Sequence, residues 1–180
     1  MKLVRETDTL LLVATLLTVA LGITTIYSAT FHSESLMWIK QMRFALVAVV
    51  IALAIVYLPN KILYGLSYPL YLLGLMSLVA VQVWGTGEGA ARWLALGALR
   101  LQPSEFAKIA TIITLARFIS DRSTDEINNA RSFLGALLIT LIPMGLVARQ
   151  PDLGTAIAFG AVLFPMLYWA GMRPLFIFCI

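Results

Sequence analysis

Six long apolar runs leave this chain few ways to fold. They occupy residues 9–27, 44–58, 63–84, 103–119, 133–147 and 153–169. Each is long enough for a helix to cross most or all of a bilayer core of about 30 Å, and too long and too uniformly apolar for barrel strands of about 10 alternating residues. Composition agrees. The chain of 180 residues is 61% hydrophobic and 12% charged, whereas soluble domains average about 45–50% apolar and about 25% charged. The pattern predicts an all-α, polytopic transmembrane helix bundle forming a single transmembrane domain over 1–180, with about six spans. After Gly171-Met172-Arg173-Pro174 a further apolar run starts at Leu175 and reaches only Ile180. Six residues cannot cross, so the chain reads as truncated at the start of a seventh span.

Several features carry only structural readings. The basic start, with Lys2 and Arg5 before the first run, resembles a signal peptide, but that run is too long and ends without a small-x-small cleavage pattern. His32 stands alone in the loop 28–43, and a solvated loop histidine is the plainer reading. Trp38 and Lys40 suit an interfacial belt. Pro69, Gly65 and Gly74 in the third run fit a locally kinked, closely packed helix. The glycines of 85–91 lack the strand–turn–helix context of a phosphate loop. Residues 120–132 form a polar, mixed-charge connector, read as a solvated loop. The single cysteine, Cys179, reports nothing about redox compartment. A net charge of +4 brings no nucleic-acid signal; in a membrane chain basic residues report topology first. With the amino terminus inside, Lys2, Arg5, Lys61, Arg117, Arg122, Arg131 and Arg173 fall inside and Lys40, Arg43, Arg92, Arg100 and Arg149 outside. This weak bias favours a cytoplasmic amino terminus.

That topology places two polar clusters on the outer face. The first, RWLALGALRLQPSEFAK over 92–108, holds Arg92, Arg100, Gln102, Ser104, Glu105 and Lys108. The second is Arg149-Gln150-Pro151-Asp152-Leu153-Gly154-Thr155-Ala156. Each contains Gln-Pro followed by an acid at a helix start, where proline sacrifices no hydrogen bond and an acid complements the helix dipole. Two well-made helix starts would account for all of this. Beyond that, Glu105 and Lys108 share a helix face three residues apart, and Lys108 lies deep enough that it should face the bundle interior, as a structural ion pair or as part of a site. Arg92, Arg100 and Arg149 beside two helix amino termini suit an anionic ligand such as a lipid pyrophosphate, or headgroup contact, or pairing with Glu88, Glu105 and Asp152. Asp152 caps its helix, pairs with an arginine, or positions a ligand or metal. A lone acid without a partner base is a weak catalytic signal. A divalent cation suits pyrophosphate chemistry, yet no ligand cluster here demands one.

The motifs Gly89-Ala90-Ala91-Arg92-Trp93-Leu94, Leu101-Gln102-Pro103-Ser104-Glu105-Phe106-Ala107-Lys108 and Gln150-Pro151-Asp152-Leu153-Gly154-Thr155-Ala156, in this order and spacing, resemble the SEDS family (shape, elongation, division and sporulation). LQPSEFAKIA and RQPDLGTA look closer to its RodA branch than to its FtsW branch. The similarity runs over essentially the whole chain but over about the amino-terminal half of such a protein. The resemblance implies about ten transmembrane helices, both termini cytoplasmic in a bacterial inner membrane, and polymerisation of lipid II into glycan strands beside a class B penicillin-binding transpeptidase. It places Arg92, Glu105, Lys108 and Asp152 along a central cavity, with Glu105 and Lys108 as an interior pair; Arg149, outside that carry-over, joins Arg92 as a candidate to attract pyrophosphate by its charge. The family's catalytic aspartate lies on a large outer loop after the seventh helix, beyond residue 180. No catalytic residue is therefore expected here, and the fragment alone is expected to be inactive. Two rivals stand beside this reading: a flippase for the same lipid, and a non-enzymatic scaffold for the transpeptidase.

Overall fold

The computed structural model describes residues 9–31, 36–85, 92–96 and 99–173. His32, Glu88 and the run from Leu175 to Ile180 with Cys179 lie outside the described residues. The chain divides into two compact units, Met1–Leu58 and Pro59–Ile180.

In the first unit α1 (Thr9–Thr30) packs on α2 (Met37–Val56). The hydroxyls of Thr15, Thr18, Thr25 and Thr30 donate to carbonyls four residues back, so these polar groups satisfy themselves inside an apolar helix. Tyr27 meets Phe31 and Trp38 edge-on, with centroids 5.6 Å apart in both cases. No residue of either helix is buried, as suits helices whose solvent is lipid. The expected loop over 28–43 is shorter than predicted. Trp38, Lys40 and Arg43 belong to α2. Nothing between Met37 and Arg43 breaks a helix, and residues that favour the interface extend the span rather than end it. Pro59 follows soon after the end of α2, disfavouring helical backbone in the residue before it.

The second unit begins with α3 (Asn60–Trp84), which runs through Pro69. A short antiparallel hairpin follows, β1 (Leu94–Leu96) with β2 (Leu99–Leu101), in the register Leu94↔Leu101 and Leu96↔Leu99. The all-α expectation holds for the architecture, and this three-residue strand pair is a local addition to it. The alternation of Leu94-Ala95-Leu96 and Leu99-Arg100-Leu101 about Gly97-Ala98 is a hairpin pattern, submerged in the helical signal around it. Next come α4 (Pro103–Ser120), the single-turn α5 (Thr124–Ile127), α6 (Ala130–Ala148) and α7 (Leu153–Trp169). The six long helices of the described residues match the six predicted spans. Four are both long and apolar enough to cross a membrane by composition alone; α4 carries Glu105, Lys108 and Arg117, and α7 is short at 17 residues.

The centre of this unit is α4, which packs on α3, α6 and α7. Small residues make that possible. A Cβ on Gly74 of α3 would stand 3.3 Å from the Ala107 Cα and 3.6 Å from the Ala110 Cβ, so the two backbones approach as only glycine permits. Lower on the same crossing the Thr114 hydroxyl donates to the Ser67 carbonyl at 3.0 Å. Leu78, Ala107, Val147, Ala156 and Phe159 fill the hairpin end of the core, and Leu115, Phe133, Ala136, Leu163 and Leu167 the opposite end.

The 120–132 connector is not a solvated loop throughout. Ser123 and Glu126 form a reciprocal capping box around α5, Ile127 is buried, and the buried Ser132 donates to the Glu126 carbonyl at 2.7 Å. Asn128 donates to the Gly171 carbonyl and accepts from the Arg173 amide, tying the connector to the end of α7. The Ser123 backbone amide, then its hydroxyl, hold the Glu126 carboxyl below the ordinary glutamate range.

Pro143 lies inside α6, which runs through it. Proline removes the amide that would bond the carbonyl four residues back, which is Ile139. The Tyr71 hydroxyl of α3 donates to that carbonyl at 2.8 Å, supplying the missing partner from a neighbouring helix.

Candidate functional site at the hairpin end

Both polar clusters come together at one end of the second unit. There α3 ends, the hairpin turns, α4 and α7 begin and α6 finishes. Gln102 caps α4 in extended conformation without a side-chain bond, Pro103 opens the helix, and Glu105 lies in its first turn. Lys108 Nζ and Glu105 Oε1 pair at 2.9 Å.

The pair lies off the face of α4 that packs within this unit. Ser104, Ala107, Ala110, Thr111 and Thr114 form the packed face of α4, while Glu105, Ile109, Ile112 and Ala116 are exposed among the described residues and Lys108 is half-buried. The sequence reading placed the pair toward the bundle interior. The small side chains take that face because they admit α3 and α7, and the ion pair is left on a side that this unit does not cover.

Asp152 is the N-cap of α7. Its Oδ1 accepts from the Thr155 amide at 3.2 Å and its Oδ2 from the Thr155 hydroxyl at 2.9 Å. The plain reading of this acid as a helix cap is realised, with the carboxylate held in a fixed orientation and partly exposed. Arg149 caps the carboxyl end of α6 and is exposed. Arg100 lies on β2 opposite Ala95, and its side chain lies outside the described residues.

Arg92 reaches the second cluster directly. Its Nε donates to the Gln150 carbonyl at 3.2 Å and its Nη2 to the Pro151 carbonyl at 2.5 Å. Gln150, whose side chain the sequence reading passed over, is buried, and its amide nitrogen donates to the Leu78 carbonyl of α3 at 3.3 Å. Nearby Gln82 donates to the Leu146 carbonyl at 3.2 Å. The signal for Gln150 was its polarity beside an apolar run. The Gln-Pro pattern drew attention to its backbone instead.

Chemically, two helix amino termini point to this end, with the partial positive charge that such termini carry. The Glu105–Lys108 pair and an Arg117–Asp121 contact at the far end are the ion pairs among the described residues. Arg92 and Arg149 therefore bring two positive charges to the α6–α7 turn with no carboxylate within ion-pair distance in the described structure. The arrangement favours an anion beside the Glu105–Lys108 ion pair. No group of three or more His, Cys, Asp or Glu side chains gathers among the described residues.

The other polar cluster lies at the opposite end and escaped the sequence reading, which used Arg117 and Arg122 only for topology. Arg117 stacks on Tyr64 and Tyr68 at 4.2 and 4.4 Å and donates to the Tyr64 carbonyl and the Ser67 hydroxyl at 2.9 and 3.1 Å. It is a clamp between α3 and α4. Its signal was an arginine late in an apolar run with Asp121 four residues on.

Comparison with known proteins gives these features a family. The FtsW/RodA/SpoVE family model, described as cell cycle protein, matches residues 8–180. A probable peptidoglycan glycosyltransferase FtsW of Trichlorobacter lovleyi is 36% identical over 96% of this chain and 48% of its own length. The rod shape determining protein RodA of Thermus thermophilus superposes with a TM-score of 0.76 at 31% identity, covering 93% of this chain and 55% of that one. A chain of a peptidoglycan synthase complex, described as coordinating polymerization and crosslinking, superposes with a TM-score of 0.76 at 32% identity, over 89% of this chain and 46% of that one. The chain thus spans about half the length of the relatives it matches. With its helical membrane fold and its three motifs in place, the chain belongs to the FtsW/RodA/SpoVE family of cell cycle proteins, the SEDS family.

Proposed function

We propose that the whole protein is a peptidoglycan glycosyltransferase of the bacterial inner membrane, amino terminus cytoplasmic, that polymerises lipid II. In this reading it transfers a growing glycan from its undecaprenyl-pyrophosphate carrier to the sugar hydroxyl of an incoming lipid II. The observation that carries it is the Glu105–Lys108 ion pair on the uncovered face of α4. Charges at that depth do not face lipid, so this face borders a polar cavity completed by further protein. Glu105 and Lys108 then form the cavity wall, Asp152 orients substrate at its mouth, and Arg92 and Arg149 supply the positive potential that draws pyrophosphate. The reacting aspartate expected of the family lies beyond residue 180. The family name and the glycosyltransferase named among the relatives support the chemistry.

Two finer assignments belong to the same proposal. LQPSEFAKIA and RQPDLGTA favour the RodA role in cell elongation. A class B penicillin-binding transpeptidase is the proposed partner, supported by the likeness to a synthase complex that couples polymerization to crosslinking.

A charged pair on a span also suits a lipid transport pathway, so the test sets the two activities side by side. The complete protein with its transpeptidase partner is assayed for glycan strands from purified lipid II and, in vesicles, for lipid II translocation. The proposal predicts polymer. Translocation without polymer would replace it with the flippase reading, and neither activity despite intact partner binding would favour the scaffold.

A further inference from the structure

The motif around Arg92 and the motif around Asp152 are held together by one side chain. The Arg92 guanidinium spans two consecutive main-chain carbonyls, Gln150 O and Pro151 O. Those carbonyls sit in the α6–α7 turn, immediately before the Asp152 cap. The Gln150 side chain anchors the same turn to the Leu78 carbonyl inside the bundle. On its own side, Arg92 immediately precedes the hairpin, and the hairpin runs into the first turn of α4 with Glu105. The guanidinium therefore links the start of α4, through the paired strands β1 and β2, to the start of α7.

We propose that Arg92 is a positioning residue: its fork on the Gln150 and Pro151 carbonyls fixes the Asp152 end of α7 relative to the Glu105–Lys108 end of α4. Guanidinium suits this task because its donors are coplanar and fixed in spacing, so two neighbouring carbonyls can be bridged without flexible adjustment. Carbonyl acceptors leave the positive charge in place, so the fork adds geometry to the potential assigned above. Glu105, Lys108 and Asp152 each keep their own local bonds without it. Loss of the fork loosens their mutual placement and leaves each helix start intact. The proposal rests on the polymerase reading for its kinetic consequence and stands apart from it for its structural one.

The test uses the complete protein with its partner, comparing Arg92→Lys, Arg92→Gln and Arg92→Ala. Hydrogen exchange over residues 92–101 and 149–155 reads the fork directly. All three variants are expected to exchange faster there than the parent, with unchanged exchange over 60–80. In lipid II polymerisation the Lys variant, which keeps the charge and loses the fork, is expected to drop about tenfold in kcat with KM for lipid II within about twofold of the parent, and the Gln variant to lose as much kcat with KM raised as well. The Ala variant is expected to be at least as low as either. A near-normal Lys variant, with Gln as poor as Ala and KM raised, would overturn the proposal in favour of direct charge contact with substrate. Unchanged exchange in Arg92→Ala would overturn it too, whether or not the protein polymerises. Faster exchange without any parent polymerisation would retain the fork and reject the polymerase reading.

Discussion

At Arg117 a single side chain combines most of what a charge near a membrane span requires. Two tyrosine rings cover its faces, Nη1 donates to both a carbonyl and a hydroxyl, and the buried Nε, which makes no hydrogen bond, lies 3.8 Å from Asp121 Oδ2. Asp121 is held in turn by the Tyr64 hydroxyl at 2.6 Å. Lysine cannot reproduce the stack and the fork together. Arg117→Lys should therefore lower the stability of the detergent-solubilised complete protein by about 1–2 kcal/mol, read as a fall in thermal midpoint. A midpoint equal to the parent would show the stack to be incidental. Arg117 was visible in the sequence only as a topology marker, because its partners Tyr64, Ser67 and Tyr68 lie some fifty residues away on another helix. Glu105 and Lys108 were visible because their spacing is local. The direction they face was not, because it depends on which small residues α3 and α7 select.

Among the elements, α6 shows how a broken helix is repaired from outside. Tyr71→Phe should destabilise the protein by about 1–3 kcal/mol, because the Ile139 carbonyl, already without an amide from Pro143, loses the Tyr71 hydroxyl as donor. In a Pro143→Ala background the same change should cost less, since the helix then supplies its own donor. Equal costs in both backgrounds, in a double-mutant cycle by thermal unfolding, would refute the link. The α3–α4 crossing makes a second prediction. Gly74→Leu must displace Ala107 main-chain atoms now in near contact with the glycine, at a cost of about 1–3 kcal/mol for overpacking, again as a lowered midpoint. At the capping box the sign follows from Glu126. Its carboxyl is held below the ordinary range, so the cap's contribution is complete above the ordinary glutamate pKa and is lost as pH falls through the lower folded value. Ser123→Ala should move the Glu126 titration, followed by NMR, upward toward the ordinary value. An unmoved titration would show that the Ser123 hydroxyl does not contribute beside its backbone amide. The long helices were legible because hydrophobic runs and Pro103 or Pro151 mark them locally: 153–169 falls where the sequence placed it, and α4 ends within one residue of the expectation. The start of α2 and the hairpin were not, because Trp38, Lys40 and Arg43 resemble a loop by polarity and three-residue strands are too short to show above a helical background.

For the whole molecule, the sequence located the site's ingredients, and folding supplied their relations. Arg92 reaches the Gln150–Pro151 turn before Asp152 because α6 and α7 double back, and that arrangement turns two separate helix starts into one end with a net positive turn beside the Glu105–Lys108 ion pair. On the proposed function, this end is the working surface of a lipid II polymerase. Glycan-strand synthesis from purified lipid II by the complete protein with its transpeptidase partner tests it most directly, with Lys108→Ala and Asp152→Ala run beside the parent and insertion and partner binding verified for each. The account predicts polymer from the parent and a loss of about a hundredfold or more in both variants. Normal polymer from both well-inserted variants would contradict it, and would return Glu105–Lys108 and Asp152 to the roles of structural ion pair and helix cap.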